Sequence, residues 1–561
     1  MTSRIRAWVT TYPDGRDKGE QPLWGKQGVS RVIERVVIHG YRRFEDLEIE
    51  PIAGLNILVG DNESGKSTLL EAIALALTGR VNGRWAAEEL NPFWFNRSLV
   101  SDFFESYGKD ASAKPPEIVI ELYLGDDDNL QSLRGVHNSL GADCPGVRLH
   151  VAPSSEYEPE LKEYLGNMPP PILPVEFYVV EWRDFGDVPL GRRPKELAVA
   201  FIDARTIRST SGIDYHTREM LTEHLDAEER AAISIAHRRA RENMTTEVLG
   251  SINERIAREN ASLHDRPMGL QMDQSWRTSW ESGVVPQVDD IPFAMAGQGQ
   301  QAAVKVALAM SRSAAASYVL MEEPENHLSY GGLSRLLSRV ESLSTADQQL
   351  FVTTHSSFVL NRLGLDRLLL LHEGHPAKLA ALGDDTVTYF RKLAGFDTLR
   401  LVLAPKLALV EGPSDAIVLE RAVRDVVHKS PMEMGVDIVS MGGLTFKRAL
   451  EVCTCLGRQA VALQDNDGRD PRVAEAEVVH LLDQPHRVLL VSDPTSGHTL
   501  EPQLIAANGE TLMRKVLGLS VSADVGTWMK NNKTEAALRV LDSSVSVAFP
   551  EYINKAVSLL A

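Results

Sequence analysis

Nine consecutive residues, Gly60-Asp61-Asn62-Glu63-Ser64-Gly65-Lys66-Ser67-Thr68, combine backbone freedom, one cation and neighbouring hydroxyls. They match G-x-x-x-x-G-K-[ST], which binds phosphate when a strand precedes it and a helix follows. The apolar run Leu55–Val59 supplies the strand, and Leu69–Leu75 has helix-like composition. Between them, the backbone N–H groups of Gly60 to Thr68 and a helix N-terminus converge on one anion site. Gly65 presents no side chain to an approaching phosphate. Lys66 supplies a point charge for the β- and γ-phosphates, and the Ser67 hydroxyl is a Mg²⁺ ligand. The expected ligand is a nucleoside triphosphate with Mg²⁺.

Two further sets of residues carry chemistry. The apolar Tyr318–Met321 runs into Glu322 and Glu323. At the end of a strand, Glu322 would hold Mg²⁺ through water and Glu323 would orient or deprotonate the attacking water. Thr353-Thr354-His355-Ser356 ends the next strand-like run, and His355 is its candidate functional group. The third set is Glu411 and Asp415 in Glu411-Gly412-Pro413-Ser414-Asp415, with Asp465 and Asp467 in Asp465-Asn466-Asp467-Gly468. Both segments follow apolar runs, and ligands gather at the carboxyl ends of parallel strands. Carboxylates brought that close repel one another unless cations lie among them. Oxygen-only ligands favour hard ions, so Mg²⁺ or Mn²⁺ is expected.

The elements that must position these groups follow from periodicity. Strands are predicted at Ile33–Ile38, Leu55–Val59, Ile118–Leu124, Val147–Val151, Val175–Val180, Val199–Ile202, Tyr318–Met321, Leu350–Thr354 and Leu368–Leu371. Residues 153–174 are Pro-rich and acidic and read as a surface insertion. Tyr215–Asn260 lacks Pro and has helical spacing, which predicts a long helical pair. Its apolar stripe needs cover from its own head or from a second subunit. From Leu407 a new alternation begins: strands at Leu407–Val410, Val436–Met441, Ala460–Gln464 and Val488–Val491, with helices near 414–427 and 445–456. This predicts a small parallel sheet with covering helices.

Bulk properties frame the reading. A chain of 561 residues exceeds one ordinary core. No apolar run reaches membrane-span length, and the start of the chain has no signal-peptide core, so no membrane association is expected. Cys144, Cys453 and Cys455 have neither disulfide-framework nor zinc spacing, and a cytoplasmic setting is expected. A formal net charge of −18 argues against wholesale coating of nucleic acid and leaves local patches such as Arg192, Arg193 and Lys195, or Arg238, Arg239 and Arg241.

In their order, the first two sets resemble the ATPase head of the ABC/SMC superfamily. The resemblance implies ATP as the nucleotide and a signature turn that binds the γ-phosphate held by the opposite subunit. Ala296-Gly297-Gln298-Gly299-Gln300-Gln301, opening a helix Ala302–Met310, is its counterpart, with Gly297, Gly299 and Gln300 as contacts. It departs from the usual serine-glycine-glycine core. His355 matches the switch histidine, and no glutamine lies in residues 72–130 to serve as a Q-loop. The third set is similar to the Toprim domain. Head, helical insertion, head and Toprim in succession resemble the OLD (overcoming lysogenization defect) family of ATP-dependent nucleases, including Gabija-type defence nucleases.

That resemblance implies an α/β fold with these parts: a polar extension over 1–30, an ABC/SMC-type head over 31–210 and 266–400, an inserted helical dimerisation segment over 211–265, and a Rossmann-like Toprim domain over 401–561. It adds Glu501, in Thr499-Leu500-Glu501, as a further metal ligand. It also adds Lys533 as the charge-neutralising lysine, with Lys530 as competitor. The implied reaction is phosphodiester hydrolysis by two ions about 3.5–4 Å apart, on DNA, in a homodimer or larger homo-oligomer, alongside a helicase-like or other defence subunit. Three alternatives stay open. One is a repair or chromosome ATPase without nuclease activity. Another is a nuclease repressed by ATP. The third is a strand-passage enzyme, for which the chain offers no tyrosine between Leu407 and Phe549, and only Tyr552 beyond.

Overall fold

The structure is a computed structural model. It describes residues 32–561 except 82, 111, 167–171, 204–224, 261–267, 274–279, 281–283, 285–286, 289, 298–299, 302–315, 327, 344–347, 373–374, 380–381, 393–396 and 443–444. The expected extension over 1–30, the first part of the helical pair, Gly299 and the helix Ala302–Met310 lie outside the described residues.

The head opens with β1 (Ile33–Tyr41), β2 (Phe44–Ile49), β3 (Leu55–Gly60) and α1 (Lys66–Thr78). β4 (Ile118–Leu124), β5 (Cys144–Pro153) and β6 (Tyr178–Asp184) join β1 and β2 in an antiparallel sheet, ordered β2-β1-β4-β5 with β6 beyond β5. Its inward residues, among them Val36, Ile38, Leu122 and Leu149, pack on α1 through Leu69, Ile73 and Leu77. A second sheet carries the nucleotide chemistry. β7 (Val199–Asp203), β8 (Tyr318–Glu322), β9 (Gln349–Thr353) and β10 (Leu368–His372) run parallel to β3 in the order β7-β8-β9-β3-β10, and β11 (His375–Lys378) closes the edge antiparallel. Because β3, β8 and β9 are parallel, the groups that follow them gather at one edge.

Between β7 and β8 lie α2 (Ala227–Asn243) and α3 (Gly250–Asn260). They are joined end to end by a π-helical turn, Met244–Val248, whose exit is marked by the Leu249 N–H bond to the Met244 carbonyl. A π insertion shifts the helical face without reversing direction. The described part of the expected pair is therefore two helices run together through a π turn and not a hairpin. Ile235, Met244 and Val248 stand exposed along it.

Past β9 come α4 (Ser357–Leu363), α5 (Asp384–Lys392) and α6 (Thr398–Leu403), which lead into the C-terminal sheet. That sheet holds β12 (Lys406–Val410), β13 (Val436–Ser440), β14 (Gln459–Gln464) and β15 (Arg487–Val491), all parallel, in the order β13-β12-β14-β15. α7 (Pro413–Val427) and α8 (Phe446–Cys455) link the first three strands. α9 (Leu500–Asn508), α10 (Val525–Asn531), α11 (Lys533–Asp542) and α12 (Glu551–Leu560) complete the domain. The chain crosses from β13 on one side of β12 to β14 on the other, which opens a crevice at the carboxyl ends of β12 and β14. The seam between head and C-terminal domain is apolar: Leu399, Leu401 and Val402 share one buried cluster with Val59 and Val352 of the head and Val439, Met441 and Phe446 of the C-terminal domain.

Two expectations are revised and one strand is added. Val175–Phe177 is a 3₁₀ turn and the strand begins at Tyr178, since Pro174 holds the entry to the turn. The stretch read as a surface insertion contains a helix, Glu158–Gly166, whose Leu161 and Leu165 are buried. β2 was not anticipated: its outward Glu45, Asp46 and Glu48 mask an inward Phe44, Leu47 and Ile49.

Candidate functional site

The phosphate loop takes its shape from its own backbone and from the sheet beneath it. Gly65 sits at φ 101°, a left-handed value that strains other residues, and α1 starts at Lys66. A Cβ at Gly65 would lie 2.5 Å from Phe44 Cζ, so the ring of β2 forms the loop's floor. Glu63 is also left-handed at φ 67°. Ser64 and Lys66 are buried, while Asp61, Asn62 and Glu63 face solvent and Ser67 and Thr68 are half-buried. Lys66 Nζ donates to the carbonyls of Gly60 and Asp61, each at 2.8 Å. Ser64 N–H bonds the Asp61 carbonyl at 3.1 Å and closes the turn.

Two strands over, Glu322 ends β8, buried at 4% exposure. Glu323 turns away from the strand at φ 42°, held by its N–H on the Thr353 carbonyl and hydroxyl, both at 3.1 Å. Its carboxylate accepts from Asn326 Nδ2 at 2.6 Å and lies 3.6 Å from His355 Nε2. Glu323 and His355, chosen from separate motifs, are thus neighbours. A third residue, without a role in the sequence reading, joins them. Glu325 Oε1 accepts from Thr354 Oγ1 at 2.8 Å and from the His355 N–H at 2.7 Å. Burial raises the Glu325 pKa above the carboxylate range, and these two donors oppose the rise. On the other side of the loop Arg42 pairs with Glu71 at 2.7 Å, and burial raises the Glu71 pKa with Arg42 opposing. Only long-range contact marks Glu325 and Glu71, so no local signal could have found them. Gly297 accepts from Gln301 N at 3.0 Å, and Gln301 Nε2 bonds the Phe293 and Ala296 carbonyls. That closes the proposed signature turn on itself, with Gln300 exposed.

The acids of the C-terminal domain meet in the crevice. Glu411 Oε1 accepts from the Asp465 N–H at 3.0 Å, which ties the end of β12 to the end of β14. Asp415, in the first turn of α7, accepts from Gly412 N at 3.1 Å. Asp465 Oδ2 accepts from Leu500 N at 3.3 Å, at the start of α9. Glu501, buried, takes the Thr499 hydroxyl at 2.7 Å and lies 3.6 Å from Lys533 Nζ. Lys530 is exposed on α10. Asp467, exposed at φ 46°, rests on the His498 carbonyl through its N–H at 3.2 Å.

The charges are unbalanced. Burial first, then Asp415 and Asp467, push Glu411 up to about 7, with the Asp465 N–H and Lys533 opposing. Burial, Asp415, Glu411 and Glu501 push Asp465 up to about 8. Burial and Glu501 raise Asp415 as well. Asp465 Oδ1 is buried with no hydrogen-bond partner. A buried carboxylate oxygen facing other acids asks for a proton or a cation. Glu411, Asp415, Asp465, Asp467 and Glu501 therefore fit a hard divalent ion by donor type. By position, among the described residues, no three His, Cys, Asp or Glu side chains stand together closely enough to hold a metal ion, so the fit is one of donor type and not of assembled geometry. Tyr552 packs beside the acids, 8% exposed. Burial and the four neighbouring carboxylates hold its phenol protonated, which is the reverse of an activated nucleophile.

A groove of about 880 Å³ lies between the head and the amino ends of β12 and β13, away from the crevice acids, and is lined by Asp61 and His355 on one side and by Arg400, Leu403, Met432 and Asp437 on the other. Among the described residues no helix is long and apolar enough to cross a membrane.

Comparison with known proteins agrees with this division. A family model described as "AAA domain, putative AbiEii toxin, Type IV TA system" matches residues 55–361, more than half of the chain. One described as "Overcoming lysogenization defect protein-like, TOPRIM domain" matches residues 402–467. The DNA replication and repair protein RecF of Stenotrophomonas maltophilia is 48% identical over 48 residues, 9% of this chain and 13% of that protein. The chain thus spans about an eighth of the length of this curated relative. The C-terminal region of the Burkholderia pseudomallei OLD protein aligns over 28% of this chain and 97% of that one, at 20% identity and a TM-score of 0.23. The ATP-bound structure of the recombination mediator RecF covers 63% of this chain and 98% of that one, at 12% identity and a TM-score of 0.31. From its matched AAA domain and the OLD-like Toprim domain that follows it, the chain belongs to the OLD family of ATPase–Toprim proteins.

Proposed function

We propose that the protein is an ATP-binding and ATP-hydrolysing, metal-dependent DNA endonuclease whose Toprim site is governed by its head. One observation carries this: acids from three separate segments, Glu411 with Asp415, Asp465 with Asp467, and Glu501, share one crevice in which Asp465 Oδ1 is buried and unpartnered.

Each residue has a role derived from its place. Glu411, Asp415, Asp465, Asp467 and Glu501 would hold Mg²⁺ or Mn²⁺. Bound there, such ions supply Lewis acidity and a nucleophile at neutral pH. Lys533, beside Glu501 and half-exposed, neutralises charge on the scissile phosphate. In the head, Lys66 and the loop N–H groups bind the triphosphate tail, and Ser67 and Glu322 face its cation. Glu323 orients the attacking water, and His355, held through its N–H by Glu325, reads the γ-phosphate. Gly297, Gly299 and Gln300 would contact the nucleotide of a second copy.

The seam supports the coupling. Ser357, two residues past His355, bonds Asp397 through its hydroxyl and accepts from Leu399 N at 3.3 Å. Arg400 then grips Asp437 of β13 and donates to the Ile438 carbonyl at 2.9 Å. β13 lies against β12, and Gly442 N bonds the Glu411 carbonyl at 3.0 Å. A shift at the switch thus has a packed, hydrogen-bonded route to a metal-binding acid. This route serves activation and repression by ATP alike. DNA as substrate, a dimer or larger homo-oligomer, a separate defence subunit and a role against foreign DNA extend the proposal by resemblance.

The test is nicking of supercoiled plasmid with Mg²⁺ or Mn²⁺, with and without ATP. Wild type is expected to nick and Asp465→Ala is not. Equal nicking by both would remove the nuclease and leave a repair-type ATPase. The ATP arms read the sign of the coupling.

A further inference from the structure

The middle residue of the Asp465-Asn466-Asp467 motif has no assigned role, yet it is the most fully bonded side chain near the crevice. Asn466 is 3% exposed. Its Nδ2 donates to Ser492 Oγ at 2.9 Å and to the Gly497 carbonyl at 2.8 Å. Its Oδ1 accepts from Gly468 N at 2.8 Å. A carbonyl on one side and an N–H on the other fix the amide's orientation without ambiguity. Oδ1 then also accepts from His498 Nδ1 at 3.0 Å, which places the proton on that ring nitrogen. The Asn466 N–H bonds Ser492 Oγ at 3.0 Å.

These bonds join two segments that must cooperate. One is the turn after β14, which bears Asp465 and Asp467. The other is the loop from β15 to α9, which delivers Leu500 N to Asp465 and carries Glu501. Gly497 is the hub: its carbonyl takes Asn466 Nδ2 and also Gln503 Nε2 at 2.7 Å. It lies at φ 120°, where an added Cβ would come within 2.6 Å of Pro502. The His498 carbonyl accepts the Asp467 N–H, and its ring packs 3.7 Å from where a Gly468 Cβ would stand. Turn and loop are thus held together from both sides by one buried amide.

We propose that Asn466 is a positioning residue: its amide fixes the spacing between the Asp465–Asp467 turn and Glu501, and so sets the affinity of the crevice for divalent cations. The inference rests on the reading of this crevice as the cation-dependent nuclease site. Outer groups that orient metal ligands typically change metal affinity by about 10–100-fold when removed.

The experiment titrates MnCl₂ into the full-length chain by calorimetry, and in parallel follows plasmid nicking against Mn²⁺ concentration. Asn466→Ala is expected to raise the dissociation constant and the half-saturating Mn²⁺ by about tenfold or more, while nicking at saturating Mn²⁺ recovers most of the wild-type rate. Ser492→Ala, a small change that removes only the hydroxyl, is expected to shift both in the same direction by a lesser factor. It keeps the test alive if Asn466→Ala does not fold. A fall in melting temperature with an unchanged Mn²⁺ midpoint in both variants overturns the proposal, because a merely structural role gives that result. Absence of nicking in wild type, with Mn²⁺ binding intact and weakened by Asn466→Ala, would instead sink the nuclease reading and leave the positioning role standing.

Discussion

In the head, Lys66 directs its ammonium hydrogens onto the carbonyls of its own loop, and that loop is closed by the Ser64 N–H bond to the Asp61 carbonyl and by the Phe44 ring beneath Gly65. In the Toprim crevice, by contrast, Asp465 keeps a buried oxygen with no partner, and Glu411 and Asp415 are pushed toward protonation by burial and by neighbouring acids, Asp415 and Asp467 for the first and Glu501 for the second. On the proposed reading both centres would face phosphate groups. One carries its own positive charge; the other is an assembly of negative charge that cations would have to complete. A site of the first kind depends on local geometry, and a site of the second on long-range convergence.

The largest expected effects separate the two centres cleanly. Lys66→Ala is expected to abolish ATP hydrolysis, and Asp465→Ala to abolish nicking while leaving ATP hydrolysis within about twofold, since the altered sites share no partner. Loss of ATP hydrolysis in folded Asp465→Ala would break the distinction. Next, Gly65→Ala meets both the left-handed backbone and the Phe44 ring, and a loss of about 1–3 kcal/mol is expected. Chemical denaturation measures it. Adding Phe44→Leu is expected to recover the part due to the ring and not the part due to φ.

A pH comparison sharpens the contrast further. Glu411 and Asp465, pushed up to about 7 and about 8, bind protons better folded than unfolded. In metal-free protein they favour folding fully below about pH 4, the unfolded carboxylate value, and that contribution is lost as pH rises through their folded values. Added Mg²⁺ is therefore expected to raise the melting temperature by several degrees at pH 8.5 and by much less at pH 5.5. Equal shifts at both pH values, or a shift retained in Asp465→Ala, would contradict the account. The smallest expected effect is on the coupling itself. Arg400→Ala is expected to leave ATP hydrolysis and ATP-free nicking unchanged and to reduce the response of nicking to ATP by about 5–10-fold. An unchanged response would place the coupling outside this seam.

How far the chain could be read unaided follows the same division. The phosphate loop was legible because its nine residues act together in sequence. Ile118–Leu124 was read to the residue, since a run that is apolar but for the buried Glu121, and buried on both faces, leaves little choice of boundary. The strand-end acids were legible because a carboxylate after an apolar run is a local pattern. Phe44–Ile49 was hidden by its charged outer face, although its ring proves to line the phosphate loop. Glu325, Asn466 and Tyr552 could not be assigned, because each takes its role from partners that only folding brings near. The junction of α2 and α3 is one π turn, a feature of hydrogen-bond register that apolar spacing does not record.

The ring of Phe44 beneath Gly65 has one more consequence. A loop braced from below by an aromatic side chain of the neighbouring sheet does not need to reorganise when its guest departs. Capture of the next triphosphate then proceeds with little ordering entropy to overcome. Ordering of this loop is therefore not expected to be the slow step of the cycle.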